Sequence, residues 1–184
     1  MKRAAKKPPG KEKVVAVVET PRGCRNKYKF DEQTGRMKLS KVMPEGMMFP
    51  YDFGFIPDTQ SEDGDPLDIL ILSDASTFPG CQVDCRLIGV IKANQREKGE
   101  EKRNDRVIAV AEASVLYASV NEISQLEPAL LKQIEEFFIN YQKVRDIEYT
   151  IIAREGPHSA EKILTEASRR MAPNAVHDKM RKSA

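Results

Sequence analysis

The chain has 184 residues, with 30 lysines and arginines against 28 aspartates and glutamates, a formal net charge of +2 and 40% hydrophobic residues. That length suits one domain with a substantial core and is too short for two comfortable ones. No run of eighteen apolar residues is present, which excludes a membrane-spanning helix, and three cysteines without C-x-x-C spacing beside two histidines speak against zinc and leave reduced thiols as the expectation.

In chain order, residues 1–13 read as a disordered basic arm, rich in lysine and carrying Pro8, Pro9 and Gly10. The arm has no apolar segment of the secretory kind, so a cytoplasmic location is expected. Val14 to Glu19 is β-branched and apolar enough for a buried strand. Lys27–Asp31 and Met37–Val42 flank a turn containing Gly35 and predict a hairpin, in which Tyr28 and Phe30 share one face and Lys27 and Lys29 the other. An aromatic, turn-rich stretch follows, MMFPYDFGFIPDT, whose rings are expected to fill core or line a pocket wall.

Further strands are expected at Ile69–Leu72, Cys81–Arg86, Leu87–Ala93 and Arg106–Glu112, with a charged loop over Asn94–Asp105. Pro128 opens a helix whose apolar stripe runs through Leu130, Leu131, Ile134, Phe137, Phe138 and Tyr141. A short strand at Tyr149–Ile152 and a second helix from Ser159 to Met171 complete one domain over 14–171, and 172–184 read as a basic tail. Many short strands and few helices place the fold in a mainly β class with α (α+β), with a closed or highly coiled sheet.

The chemistry concentrates in SEDGDPLDIL, where Asp63, Asp65 and Asp68 stand at D-x-D-x-x-D spacing. Between Lys41 and Arg86 there is no lysine or arginine, yet the interval holds nine carboxylates. Such crowding calls for protonation, solvation or a bound cation, and an all-oxygen set suits a hard divalent ion. An EF-hand register fails, because Leu67 would fall on a ligand position and Asp68 on the sharp-turn glycine. Carboxylates facing lysines fit metal-assisted attack of water on a phosphate anhydride better than glycoside hydrolysis or an exposed acidic turn.

The stretches FPYDFGFIP, EDGDPLDILIL and PGCQVDCRLIGVI together resemble the soluble type I, magnesium-dependent inorganic pyrophosphatases, over about Val14 to Met171. The resemblance implies an OB-like distorted five-stranded β-barrel with two packed helices. It also implies a hydrolase acting on phosphorus-containing anhydrides, several Mg²⁺ ions per site with Mn²⁺ able to substitute, inorganic diphosphate as substrate, and a homo-oligomer, commonly a hexamer. Carried over by position, Asp65 matches the base that activates water. Asp63, Asp68 and Glu19 match metal ligands, and Lys27, Lys41, Arg106 and Tyr141 match contacts to phosphate; the family's loop aspartate aligns onto Asn104, and Asp105 is the favoured ligand after a one-residue shift of the loop, with the choice between them open.

Several positions depart from the family pattern. Lys29 stands where an acid is usual, Lys41 where an arginine is, Phe49 and Phe53 where tyrosines are, and Gln142 where a lysine is, with Lys143 next to it. Asn104-Asp105-Arg106 replaces D-x-K, and Gln95 falls where an acid begins that loop. These changes motivate a second reading, a catalytically weakened relative that binds phosphate or metal. A third, a nucleic-acid binder on an OB-like barrel, is disfavoured because acids surround the aromatic segment.

Overall fold

The computed structural model describes residues 13–31 and 33–181. The expected basic arm therefore lies outside the described residues except for Lys13, the first residue of β1 (Lys13–Thr20). Val14, Ala16 and Val18 of this strand are buried on one face, as the alternation of a β-branched run requires.

Five strands close on one another. β1 pairs with β4 (Asp52–Ile56), which pairs with β5 (Leu67–Leu72); β5 runs parallel to β8 (Arg106–Ala111); β8 pairs with β6 (Gln82–Glu97), and β6 returns to β1. Every pairing in the ring except β5–β8 is antiparallel. A Cβ at Gly54 would overlap the Val17 carbonyl, so only glycine allows β4 to approach β1 this closely. Outside the ring, β7 (Glu100–Arg103) and β9 (Glu148–Glu155) extend the sheet from β6, while β2 (Asn26–Asp31) and β3 (Arg36–Val42) form a separate two-stranded sheet.

β5 is buried on both faces, and its alternate residues serve two apolar clusters. Ile69 and Ile71 pack with Val14, Val107 and Ala109 and with Ala160, Leu164 and Ala167 of α2 (Pro157–Arg181). Leu70 and Leu72 pack with Ile88, Ile108 and Val110 and with Ile134 and Phe138 of α1 (Pro128–Lys143). Helix α1 forms because Pro128 presets its first turn and its apolar residues recur at 3.6-residue spacing. Lys143 in the last turn complements the helix dipole, and Asp146 adopts a left-handed conformation just beyond the C-cap. Full burial of Ile134 and Phe138 contributes about 1.5–3 kcal/mol each.

The α+β class, the five-strand closure and the two helices agree with expectation; several bounds do not, among them β9, which runs Glu148–Glu155 where Tyr149–Ile152 was expected. The aromatic segment contains a strand, β4, that Pro50 and Pro57 disguise as turns. The strands expected at Cys81–Arg86 and Leu87–Ala93 are one 16-residue strand, bent by an irregularity between Leu87 and Gly89. The charged loop over Asn94–Asp105 is a hairpin of β6 and β7. Helix α2 begins at Pro157, before Ser159, and continues past Met171 to Arg181, so only residues 182–184 of the expected tail lie outside the described residues. No helix among the described residues is long and apolar enough to cross a membrane.

Candidate active site

The acidic loop sits between β4 and β5. Its turn is built locally: Gly64 adopts φ +93°, the Ser61 N–H donates to the Asp65 carbonyl at 2.8 Å, and the Asp65 N–H donates to Asp63 Oδ1 at 3.2 Å. Asp68 follows on β5, opposite Phe55. On the far side of β4, Glu19 on β1 is 8% exposed and accepts the Phe30 N–H at 3.0 Å, which ties the two-stranded sheet to the ring. Glu19, Asp63, Asp65 and Asp68 thus line one side of a cleft of about 650 Å³. Burial raises the Glu19 carboxyl above its ordinary range, and Asp68 adds to the rise. Asp63 is raised by burial too, with repulsion from Asp68 and Asp65.

The opposite side is basic. Lys27 of β2 and Lys41 of β3 pair across the hairpin and both line the cleft, with Arg106 at the start of β8 and Tyr141 and Arg145 at the end of α1. Lys27 Nζ donates to Tyr141 Oη at 3.2 Å. Burial alone would raise the Tyr141 phenol, but the charge and hydrogen bond of Lys27, helped by Lys41 and Arg145, hold it below its ordinary value. Burial lowers the Lys41 ammonium.

Arg106 is 4% exposed and lies among the rings of Phe53, Phe138 and Tyr149, at 5.7, 5.5 and 6.0 Å. Its Nη1 donates to Asp68 Oδ2, while its buried Nε has no partner. Phe53 also receives Lys27 Nζ at 5.6 Å from its centroid, so one ring lies against two cations of the site.

The loop before β8 divides its two polar residues. Asn104 lines the cleft, and its Nδ2 donates to Gln95 Oε1. Asp105 does not line it: its Oδ1 accepts the Ala93 N–H at 3.1 Å and pairs with Arg103 at 2.6 Å. It faces instead a second, smaller cavity that shares Asp63, Asp68, Asn104 and Arg106 as a common wall. Burial raises the Asp105 carboxyl, against the pull of the Ala93 N–H and Arg103.

Two basic residues of the cleft were not assigned a role from the sequence. Arg145 reaches the cleft where Lys143 had been considered as a stand-in for Gln142; Lys143 is exposed and does not line it. The spacing of Tyr141 and Arg145, one helical turn, was the signal available. Arg145 Nη1 donates to Gln142 Oε1 at 2.7 Å, and Gln142 Nε2 to Gln95 Oε1 at 3.4 Å, so amides stand where charged groups were expected. The other is Lys29, whose Nζ lies 3.1 Å from Asp65 Oδ1. That contact raises the Lys29 ammonium above its ordinary value.

The four carboxylates fit a hard cation in donor type, since all are oxygen ligands and Asp68 repels both Glu19 and Asp63. Among the described residues no three His, Cys, Asp or Glu side chains converge on one point, and Asp65 and Asp68 are instead paired with Lys29 and Arg106.

A small closed β ring with an open polar cleft, one wall carboxylate and the other lysine and arginine, defines a protein that handles oxyanions together with cations. The comparisons are specific. The sequence model of the family described as inorganic pyrophosphatase matches residues 16–172. The chain is 37% identical over 153 residues to the inorganic pyrophosphatase of Geobacillus stearothermophilus, covering 83% of this chain and 90% of that one. It is 34% identical over 154 residues to that of Methanosarcina acetivorans, covering 84% and 89%. Among solved structures, the inorganic pyrophosphatase from Thermus thermophilus superposes with a TM-score of 0.81 at 30% identity, over 94% of this chain and 97% of that one. The chain belongs to the inorganic pyrophosphatase family.

Proposed function

We propose that this chain hydrolyses inorganic diphosphate to two phosphates with the help of magnesium. The observation that carries the reading is the shared cleft, in which Asp63, Asp65 and Asp68 face Lys27, Lys41, Arg106 and Tyr141. Glu19, Asp63 and Asp68 would hold Mg²⁺, or Mn²⁺ in its place. Asp105 joins them only by exchanging the Ala93 N–H and Arg103 for the cation. Bound magnesium would neutralise phosphate oxygens and lower the pKa of the attacking water.

The remaining work falls to side chains. Asp65, exposed on the acidic loop and lining the cleft, takes the proton from water as its oxygen attacks one phosphorus. The bridging P–O bond breaks, and the electron pair leaves with the second phosphate. Lys27, Lys41 and Arg106 hold its developing charge, and Tyr141 Oη, already fixed by Lys27, orients it by hydrogen bond. In the same reading the protein acts in the cytoplasm as a homo-oligomer, hexameric by resemblance.

The test is phosphate release from diphosphate with and without Mg²⁺, in the wild type and in Asp65→Asn. The expected result is metal-dependent release that falls by about 10²-fold or more in the variant. Full rate in Asp65→Asn would remove that residue from the role. The weakened-relative reading draws on the Lys29 ammonium paired with the proposed proton acceptor. Tight diphosphate binding by calorimetry, without turnover under Mg²⁺ or Mn²⁺, is its signature.

A further inference from the structure

The acidic wall contains a cation of its own. Lys29 follows Lys27 two residues along β2, so the strand's alternation sends both toward the cleft, yet they do different things there. Lys27 turns to Tyr141 on the basic side. Lys29 crosses to the acidic side and places Nζ 3.1 Å from Asp65 Oδ1, with Glu19 and Asp68 close enough to act on it electrostatically. Both partners are more than half exposed, so the pair adds little to fold stability. Its effect lies in the position it occupies, beside Asp65 on the acidic wall, where Arg106 pairs with Asp68 and Lys27 with Tyr141.

Resting on the magnesium reading above, we propose that Lys29 is a tethered counter-cation that competes with a divalent ion for the Asp65 side of the carboxylate cluster, so that the site loads metal more weakly than its acids alone would allow. An ammonium and a divalent ion repel at these separations, so Lys29 held at Asp65 disfavours a divalent ion on the neighbouring carboxylates. The competition is electrostatic and local. It therefore weakens with ionic strength and requires the Asp65 charge.

The experiment is direct titration of Mn²⁺ and Mg²⁺ by calorimetry, with free Mn²⁺ followed by electron paramagnetic resonance, on the full chain and its variants. Lys29→Gln is expected to bind the metal about three- to tenfold tighter at low salt, with the gain shrinking at high salt. Lys132→Gln, which removes the same charge from the exposed face of α1, is expected to leave affinity within about twofold. In an Asp65→Asn background the Lys29→Gln gain should vanish. Unchanged affinity in Lys29→Gln, a gain matched by Lys132→Gln, or a gain that persists without the Asp65 charge each overturns the proposal. If metal-dependent phosphate release is intact while Lys29→Gln changes nothing, this inference alone fails. If no divalent ion binds with or without Lys29, and no phosphate is released, the functional reading fails with it.

Discussion

Lys27 Nζ on the two-stranded sheet lies 3.2 Å from Tyr141 Oη at the end of α1, joining parts of the chain 114 residues apart. The contact closes the basic side of the cleft and presents an ammonium and a phenol to the same volume. The carboxylates opposite come from β1, the acidic loop and β5, so the two walls are held by different elements.

The pair is expected to act as a unit. Tyr141→Phe should lower kcat/KM for diphosphate by about 10- to 150-fold, the scale of one hydrogen bond to a charged group, and Lys27→Met should lower it further. The double variant should fall short of the product of the two single effects, because each substitution already removes the shared contact. Steady-state kinetics of the four proteins checks this, and strict multiplicativity would show the residues acting separately.

Arg106 and Asp68 make a stability prediction that does not depend on turnover. Arg106 is nearly inaccessible, so Asp68→Ala leaves a buried guanidinium without its carboxylate and should destabilise the metal-free protein by about 2 kcal/mol in urea unfolding. Arg106→Met in the same background, which restores an apolar neighbour for Phe53 and Phe138, should recover much of that loss. Equal stability of wild type and Asp68→Ala would show that the pair carries no weight in the fold.

Cys85 offers a pH signature. Burial pushes its thiol up to about 12, with Asp84 and Glu112 adding to the rise. Its unfolded value is about 8.5. The folded state holds the proton more tightly, so this contribution to stability is fully present below about pH 8.5 and falls as pH rises toward the folded value. The wild type should lose more thermal stability between neutral pH and about pH 10 than Cys85→Ala does, whatever constant offset the smaller side chain brings. Iodoacetamide on the native protein should label the partly exposed Cys24 and Cys81 and spare Cys85, as mass spectrometry would read.

Much of this site was legible in the sequence because its signals are strong and short-ranged. The D-x-D-x-x-D spacing and the absence of basic residues around it marked the acidic wall, and strand alternation put Lys27 and Lys29 on one face. The stripe of α1 brought Tyr141 to its end. β4 was hidden because Asp52, Gly54 and the flanking Pro50 and Pro57 carry turn signals, and it becomes a strand only by pairing with β1 and β5 on both sides. β7 was hidden because EEKR has no apolar face and owes its conformation to β6.

The division between Asn104 and Asp105 lay beyond sequence reasoning for a similar cause. Adjacent residues entering a strand face opposite ways, so one had to meet the cleft and the other its neighbour, and nothing local chose between them. The Ala93 N–H and Arg103 make the choice from β6 and β7. The contact of Lys29 with Asp65 was only partly legible: the sequence marked Lys29 as a base where an acid is usual and set it on the face of Lys27, but its partner appears only when the loop is placed beside it.

The ring closes between β1 and β6, and the cleft lies across elements as far apart as Glu19 and Arg145. Assembly therefore has an order. A chain emerging from the ribosome displays its acids and the hairpin lysines long before the C-terminal turn of α1 brings Tyr141 and Arg145. Long-range pairings of this kind close slowly. Recovery of activity during refolding should trail recovery of β structure, since no fragment ending before that helix turn holds both walls at once.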